Sequence, residues 1–137
     1  MPIFENKFNS INKTFWNKKK VFITGHTGFK GGWLCIFLKL LGAEVTGYSL
    51  EPETKPNLFT LANIRKKIKK SIIGDVRDYK KLYREIKTSK ANIVFHLAAQ
   101  PLVRLSYIHP KDTFDVNFSG TLNILQCIKN IKKINTG

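Results

Sequence analysis

Three glycines pose the first chemical question. Gly25, Gly28 and Gly31 recur at every third position of Thr24-Gly25-His26-Thr27-Gly28-Phe29-Lys30-Gly31-Gly32, between a short apolar run and a long one. Glycine at 25 permits a tight turn. At 28 it lets the backbone approach a diphosphate, and at 31 it lets a following helix pack closely on the strand before it. A helix starting here presents free N–H groups and the positive end of its dipole to an anion. Lys30 and His26 stand by as further donors. Spaced glycines carry a conformational cost. The loop therefore reads as a phosphate cradle for a dinucleotide rather than a merely flexible turn.

The elements that must hold such a cradle follow from apolar periodicity. Residues 20–24 are a short apolar run ending at Gly25, which reads as a buried strand. Residues 33–41 are too long an apolar run for a strand and stop at Gly42, which predicts a helix with a glycine cap. Further strands are expected over 44–50, 71–75 and 91–97, with a short helix over 57–64 and a charged one over 79–88. Pro101 and Pro110 bracket a stretch expected to be irregular. From 111 to 132 the apolar positions Phe114, Phe118, Leu122, Leu125, Ile128 and Ile131 keep a helical period. Residues 1–19, polar and aromatic, are expected to be an arm, with Phe15 and Trp16 tucked against the body. Alternating strands and helices predict an α/β fold: a Rossmann-type doubly wound parallel sheet of about four strands, ordered three, two, one, four. Residues 20–137 would be that nucleotide-binding domain.

Composition narrows the partners. The 137 residues carry Lys+Arg 24 against Asp+Glu 9, a formal net charge of +15. Only Arg65, Arg77, Arg84 and Arg104 are arginines, so the excess is lysine. Nucleic-acid readout favours the planar fork of arginine. The charge is read as a solvated basic surface that attracts phosphorylated ligands in general, without nucleic acid as a partner. No apolar run reaches the ~20 residues of a membrane span, and no apolar leader opens the chain. Cys35 and Cys127 lie in apolar stretches, which predicts buried thiols in a reducing, cytoplasmic compartment, with no disulfide and no metal site.

The Gly-x-x-Gly-x-x-Gly spacing resembles that of the extended short-chain dehydrogenase/reductase superfamily, which includes nucleotide-sugar epimerases and dehydratases. Three further stretches agree. Gly74-Asp75-Val76-Arg77-Asp78 is similar to the superfamily's adenine-contacting Asp–hydrophobe pair. His96-Leu97-Ala98-Ala99-Gln100 resembles the wall beside the nicotinamide riboside, and Asn117 with Gly120-Thr121-Leu122-Asn123 resembles an Asn-x-x-Gly-Thr-x-Asn helix. Phe15-Trp16, the glycine loop, Gly47-Tyr48-Ser49-Leu50, Asn57-Leu58-Phe59 and above all the run from Ala98 to Tyr107 are similar to the CDP-glucose 4,6-dehydratases.

The resemblance implies NAD as cofactor and a nucleotide sugar, CDP-glucose, as substrate. It implies oxidation at C4 by hydride transfer to NAD, loss of water across C5 and C6, and return of the hydride to C6. Cofactor contacts are then expected from Gly25, His26, Thr27, Gly28, Phe29, Lys30 and Gly31, and from Ser49, Asp75 and Val76. Leu97, Ala98, Ala99, Gln100 and Asn117 would complete them, with Gln100 and Arg104 where the sugar nucleotide approaches. Plainer readings stand beside these. Asp75 would cap the next turn, His96 would be a packed core histidine, and Asn117 would satisfy a backbone group. The second strand ends in Tyr48-Ser49-Leu50, without the Asp that holds a ribose hydroxyl or the Arg that takes a 2′-phosphate. Ser49 is placed to donate to a hydroxyl, and the missing cation together with the resemblance favours NAD. The 111–132 helix is expected to mediate a homodimer in full-length members.

The superfamily's proton transfer needs a Tyr, a Lys four residues later and a Ser or Thr. Tyr83/Lys87 and Tyr107/Lys111 match only the spacing. The first pair precedes the fourth strand, and Pro110 interrupts the second. No catalytic residue is therefore expected in the chain, which would stop before a fifth strand and lack a substrate domain. Alone it would bind NAD weakly or not at all and turn over no CDP-glucose. The alternatives are a portion of another nucleotide-sugar epimerase or reductase, a stand-alone nucleotide-binding module, and a basic polyanion binder.

Overall fold

The computed structural model describes residues 11–135. Four strands, β1 (Lys20–Thr24), β2 (Glu44–Ser49), β3 (Lys70–Ile73) and β4 (Ile93–His96), form one parallel sheet in the order β3-β2-β1-β4. The register pairs Thr24 with Tyr48 on one side and with His96 on the other. Side chains alternate across each strand, so β1 feeds two cores. Val21 and Ile23 pack with Cys35, Leu38 and Val45 beneath α2 (Phe29–Leu40), and with Phe59, Ile64 and Ile68 from α3 (Leu58–Leu61), α4 (Ile64–Lys67) and the residue after it. Phe22 packs with Tyr48, Ile72, Leu82, Ile86, Ile124 and Cys127 beneath α5 (Tyr79–Ser89) and α8 (Gly120–Asn135). Helices thus cover both faces, and the chain changes face between β3 and β4. This is the doubly wound Rossmann-type arrangement that the alternation predicts.

Several boundaries differ from expectation. The arm contains a short helix, α1 (Lys13–Trp16), whose Trp16 packs on the first core while Phe15 stays exposed. Helix α2 begins at Phe29, not Trp33, because Gly28 is its N-cap and the two glycines that follow are buried in its first turn. The expected helix over 57–64 breaks at Asn63, which adopts φ 51. The stretch expected to be irregular holds α6 (Val103–Ile108). The long helix begins one residue early as α7 (Pro110–Phe114), passes through a π turn (Asp115–Ser119) and continues as α8.

Both cysteines are buried and unpaired, and burial pushes their thiols up to about 12 for Cys35 and about 11 for Cys127. Such thiols stay protonated and unreactive. Among the described residues no cluster of three His, Cys, Asp or Glu could hold a metal, and no helix is long and apolar enough to cross a membrane.

Candidate functional site

The carboxyl ends of β1, β2 and β4 converge at the glycine loop, the place where an open parallel sheet takes its ligand. Each glycine there has its own reason. Gly25 has φ +80, and a Cβ on it would lie 2.8 Å from Ala98 N and from Leu97 C. A Cβ on Gly31 would lie 2.0 Å from Gly25 O. The fold itself therefore demands these two. Gly28 differs: a Cβ there would meet only Gly25 O, at an ordinary 3.4 Å. Gly28 is exposed, has φ −79, and caps α2 without any side-chain bond. Among the described residues no neighbour excludes a side chain at 28. The bare backbone at this helix N-terminus leaves room for a diphosphate, so the loop fits a dinucleotide.

Thr27 pins the loop to β2. Its Oγ1 donates to Leu50 O at 2.8 Å and lies 2.8 Å from Ser49 Oγ. A hydroxyl has one proton, so Ser49 must donate to Thr27. In this arrangement the Ser49 proton is turned to Thr27, and its lone pairs remain open to a ligand.

His26 lies deeper than the sequence suggests. Its ring is fully buried, packs edge-on to Phe59, and bonds through Nε2 to Ser71 Oγ at 2.7 Å. It lies over Gly47, where a Cβ would come within 2.3 Å of the imidazole. Burial drives His26 down to about 4. The ring is a neutral plug in the core rather than a donor at the mouth of the loop, and its Nδ1 has no partner. Phe29 and Lys30 are exposed at the start of α2.

After β3, Asp75 Oδ1 accepts from Arg77 N at 2.8 Å, and its carboxylate pairs with the Arg77 guanidinium at 2.7 Å. That guanidinium holds Asp75 below the usual carboxylate range. Asp75 thus turns the chain locally, while Asp78 caps α5. Three groups that the sequence motifs include without a role hold this turn in place. Tyr48 Oη donates to Asp75 O at 2.9 Å, and Asn123 Nδ2 donates to Val76 O at 2.9 Å. Gly74 leaves room for the Tyr48 ring, which a Cβ would approach to 2.4 Å.

On the other side, Leu97 and Ala99 are exposed and Ala98 half-buried. Asn117 clamps Gln100, accepting from its N–H at 2.8 Å and donating to its carbonyl at 3.2 Å. The Gln100 side chain turns inward, donating to Thr113 Oγ1 at 2.9 Å. Arg104 is exposed on α6. His96 is half-buried rather than packed in the core, with bonds on both ring nitrogens. Neither Tyr-x-x-x-Lys pair assembles a proton-transfer site. Lys87 sits over the Tyr83 ring on α5, and Lys111 pairs with Asp115 while Tyr107 projects into solvent.

Strand order, face change and glycine loop together define a dinucleotide-binding lobe of the extended short-chain dehydrogenase/reductase type. Residues 22–136 match the family described as GDP-mannose 4,6 dehydratase, and the chain belongs to that family. It is 48% identical over 124 residues to the CDP-glucose 4,6-dehydratase of Salmonella typhimurium, covering 90% of this chain and 34% of the relative. To a GDP-mannose 4,6-dehydratase of Vibrio cholerae it is 32% identical over 117 residues, covering 82% of this chain and 32% of the relative. Among solved structures, the UDP-glucose 4-epimerase of Thermus thermophilus in complex with NAD superposes with TM-score 0.69 at 28% identity, covering 82% of this chain and 34% of that one. The epimerase of Stenotrophomonas maltophila, at TM-score 0.70 and 22% identity, covers 83% of this chain and 34% of that one and shares the fold. The chain thus spans about a third of the length of these relatives.

Proposed function

We propose that this chain is the NAD-binding lobe of a nucleotide-sugar 4,6-dehydratase whose substrate is CDP-glucose. The observation that carries the reading is Gly28: an exposed Cα at a helix N-terminus without a side-chain cap, where no described neighbour excludes a side chain. NAD, when bound, accepts a hydride from the sugar and later returns it. The chain's own residues do the holding. Gly25, Gly28 and Gly31, with Phe29 and Lys30 beside them, cradle the diphosphate, and Thr27 ties that loop to β2. Asp75 and Val76 flank the adenine. Leu97, Ala98, Ala99 and Gln100 line the nicotinamide ribose, steadied by Asn117.

Ser49 supports NAD over NADP. With its proton committed to Thr27, it can accept from a ribose hydroxyl but offers nothing to a 2′-phosphate. Arg65, the nearby cation, already faces Glu51 at 3.4 Å. CDP-glucose is favoured by the 48% identity to a CDP-glucose 4,6-dehydratase. Gln100 and Arg104 are the residues proposed to meet the sugar nucleotide. Proton transfer falls to groups other than Tyr83/Lys87 and Tyr107/Lys111. The exposed Phe114, Phe118, Leu122 and Leu125 favour a second copy of the enzyme against this face. Two buried thiols fit a cytoplasmic setting.

Saturation-transfer NMR on the 137-residue chain tests the assignment. We expect transfer to NAD with a dissociation constant on the order of 1 mM, and at least about tenfold weaker binding of NADP. Equal transfer to both, or stronger transfer to NADP, would contradict it. With NAD and CDP-glucose the chain is expected to form no 4-keto-6-deoxy sugar. Its formation would refute the assignment as a cofactor lobe alone.

A further inference from the structure

Thr24 and His96 are register partners on β1 and β4. Thr24 Oγ1 lies 3.1 Å from Leu97 N, 3.2 Å from Ala98 N and 2.7 Å from His96 Nδ1. The two backbone N–H groups fill its two lone pairs, that of Leu97 being shared with the Thr24 carbonyl. The hydroxyl proton then has one remaining destination, His96 Nδ1, which must accept it. The ring is therefore neutral and carries its proton on Nε2, 3.0 Å from Thr121 Oγ1. Thr121 receives that bond and passes its own proton to Asn117 O at 2.7 Å. Every donor in the chain Thr24, His96, Thr121, Asn117 points the same way, with no freedom to reverse.

The end of this chain matters. Asn117 sits in the π turn between α7 and α8, a form often found where a functional side chain is re-aimed. Its amide clamps the Gln100 backbone through both its donor and its acceptor. We infer that His96 is a positioning residue: held as the Nε2–H tautomer, it ties the end of β4 to the first turn of α8 and so aims Asn117 at Gln100. The purpose of this aim rests on the reading of Leu97–Gln100 as the nicotinamide wall, whereas the geometry does not depend on it. A merely space-filling histidine would have no need of one tautomer.

Two NMR readouts on the whole chain, both without cofactor, test the inference. Long-range nitrogen–proton spectra are expected to give a protonated Nε2 and a bare Nδ1 for His96. Amide exchange at Gln100 reads the clamp. Thr121→Val and His96→Leu are each expected to speed that exchange about fivefold to tenfold, the effect of losing one ordinary hydrogen bond. Thr121→Ser restores the wild-type rate, and the Phe22 amide in β1, unchanged throughout, reports an intact sheet. A protonated Nδ1, an unaltered Gln100 rate in Thr121→Val, or no rescue by serine would each overturn the inference. If these results hold and NAD and NADP transfer equally, the proposed function falls and the positioning role stands.

Discussion

The two ends of the proposed cleft are built by opposite means. At the diphosphate end, atoms are missing: Gly25, Gly31 and Gly47 let backbone and ring approach where any side chain would collide. At the nicotinamide end, atoms are added: Thr24, His96, Thr121, Asn117 and Gln100 bond to one another in a line. Steric exclusion is all or nothing, because a close-packed interior cannot yield a whole methyl group. A hydrogen-bond line is graded, because each link contributes about 1 kcal/mol and can be changed singly. Side chains at Gly25, Gly31 or Gly47 should therefore break the fold, and mutations at the second end should loosen it.

The largest effect is expected at Gly31. Gly31→Ala places a Cβ on the Gly25 carbonyl, 2.0 Å away. Urea unfolding followed by circular dichroism should report a loss of about 3 kcal/mol or more. A loss under 1 kcal/mol would mean that the loop can yield, and the contrast between the two ends would fail.

Acid comes next. His26 is held neutral with its value lowered from 6.5 to about 4. Between those values the unfolded chain binds a proton that the folded chain refuses. Stability is thus full above pH 6.5 and falls as the pH drops toward 4, by up to about 3 kcal/mol. His26→Phe removes the proton site, and its stability between pH 6.5 and 4 should be flatter by a similar amount. An unchanged slope in that variant would place the acid sensitivity elsewhere.

At the hydrogen-bonded end the effect shrinks. Asn117→Ala is expected to cost about 1 kcal/mol in the same urea measurement, since it removes an exposed clamp and buries nothing new. A loss as large as that of Gly31→Ala would show the two ends to be alike.

The sequence is informative where physics is local and silent where it depends on distant partners. The order of β3, β2, β1 and β4 follows from apolar runs and right-handed crossovers, and the three loop glycines declare themselves by spacing. The start of α2 is hidden, because Gly31 and Gly32 look like helix breakers until their packing against Gly25 and Ile64 is known. His26 reads as a ligand donor until Gly47, far along the chain, makes room for its ring. The π turn leaves no mark on a stripe that steps by three and four. The hydrogen-bond line joins Thr24 to His96 across neighbouring strands, which no single segment encodes.

Gly28 tests the central claim most directly. Gly28→Ala should change stability by no more than about 1 kcal/mol, since alanine tolerates this backbone and meets no close neighbour. Saturation transfer to NAD should nonetheless fall at least about tenfold relative to the unaltered chain, the cost of a methyl group standing where the diphosphate must lie. A stable Gly28→Ala chain that binds NAD as well as its parent would contradict the account.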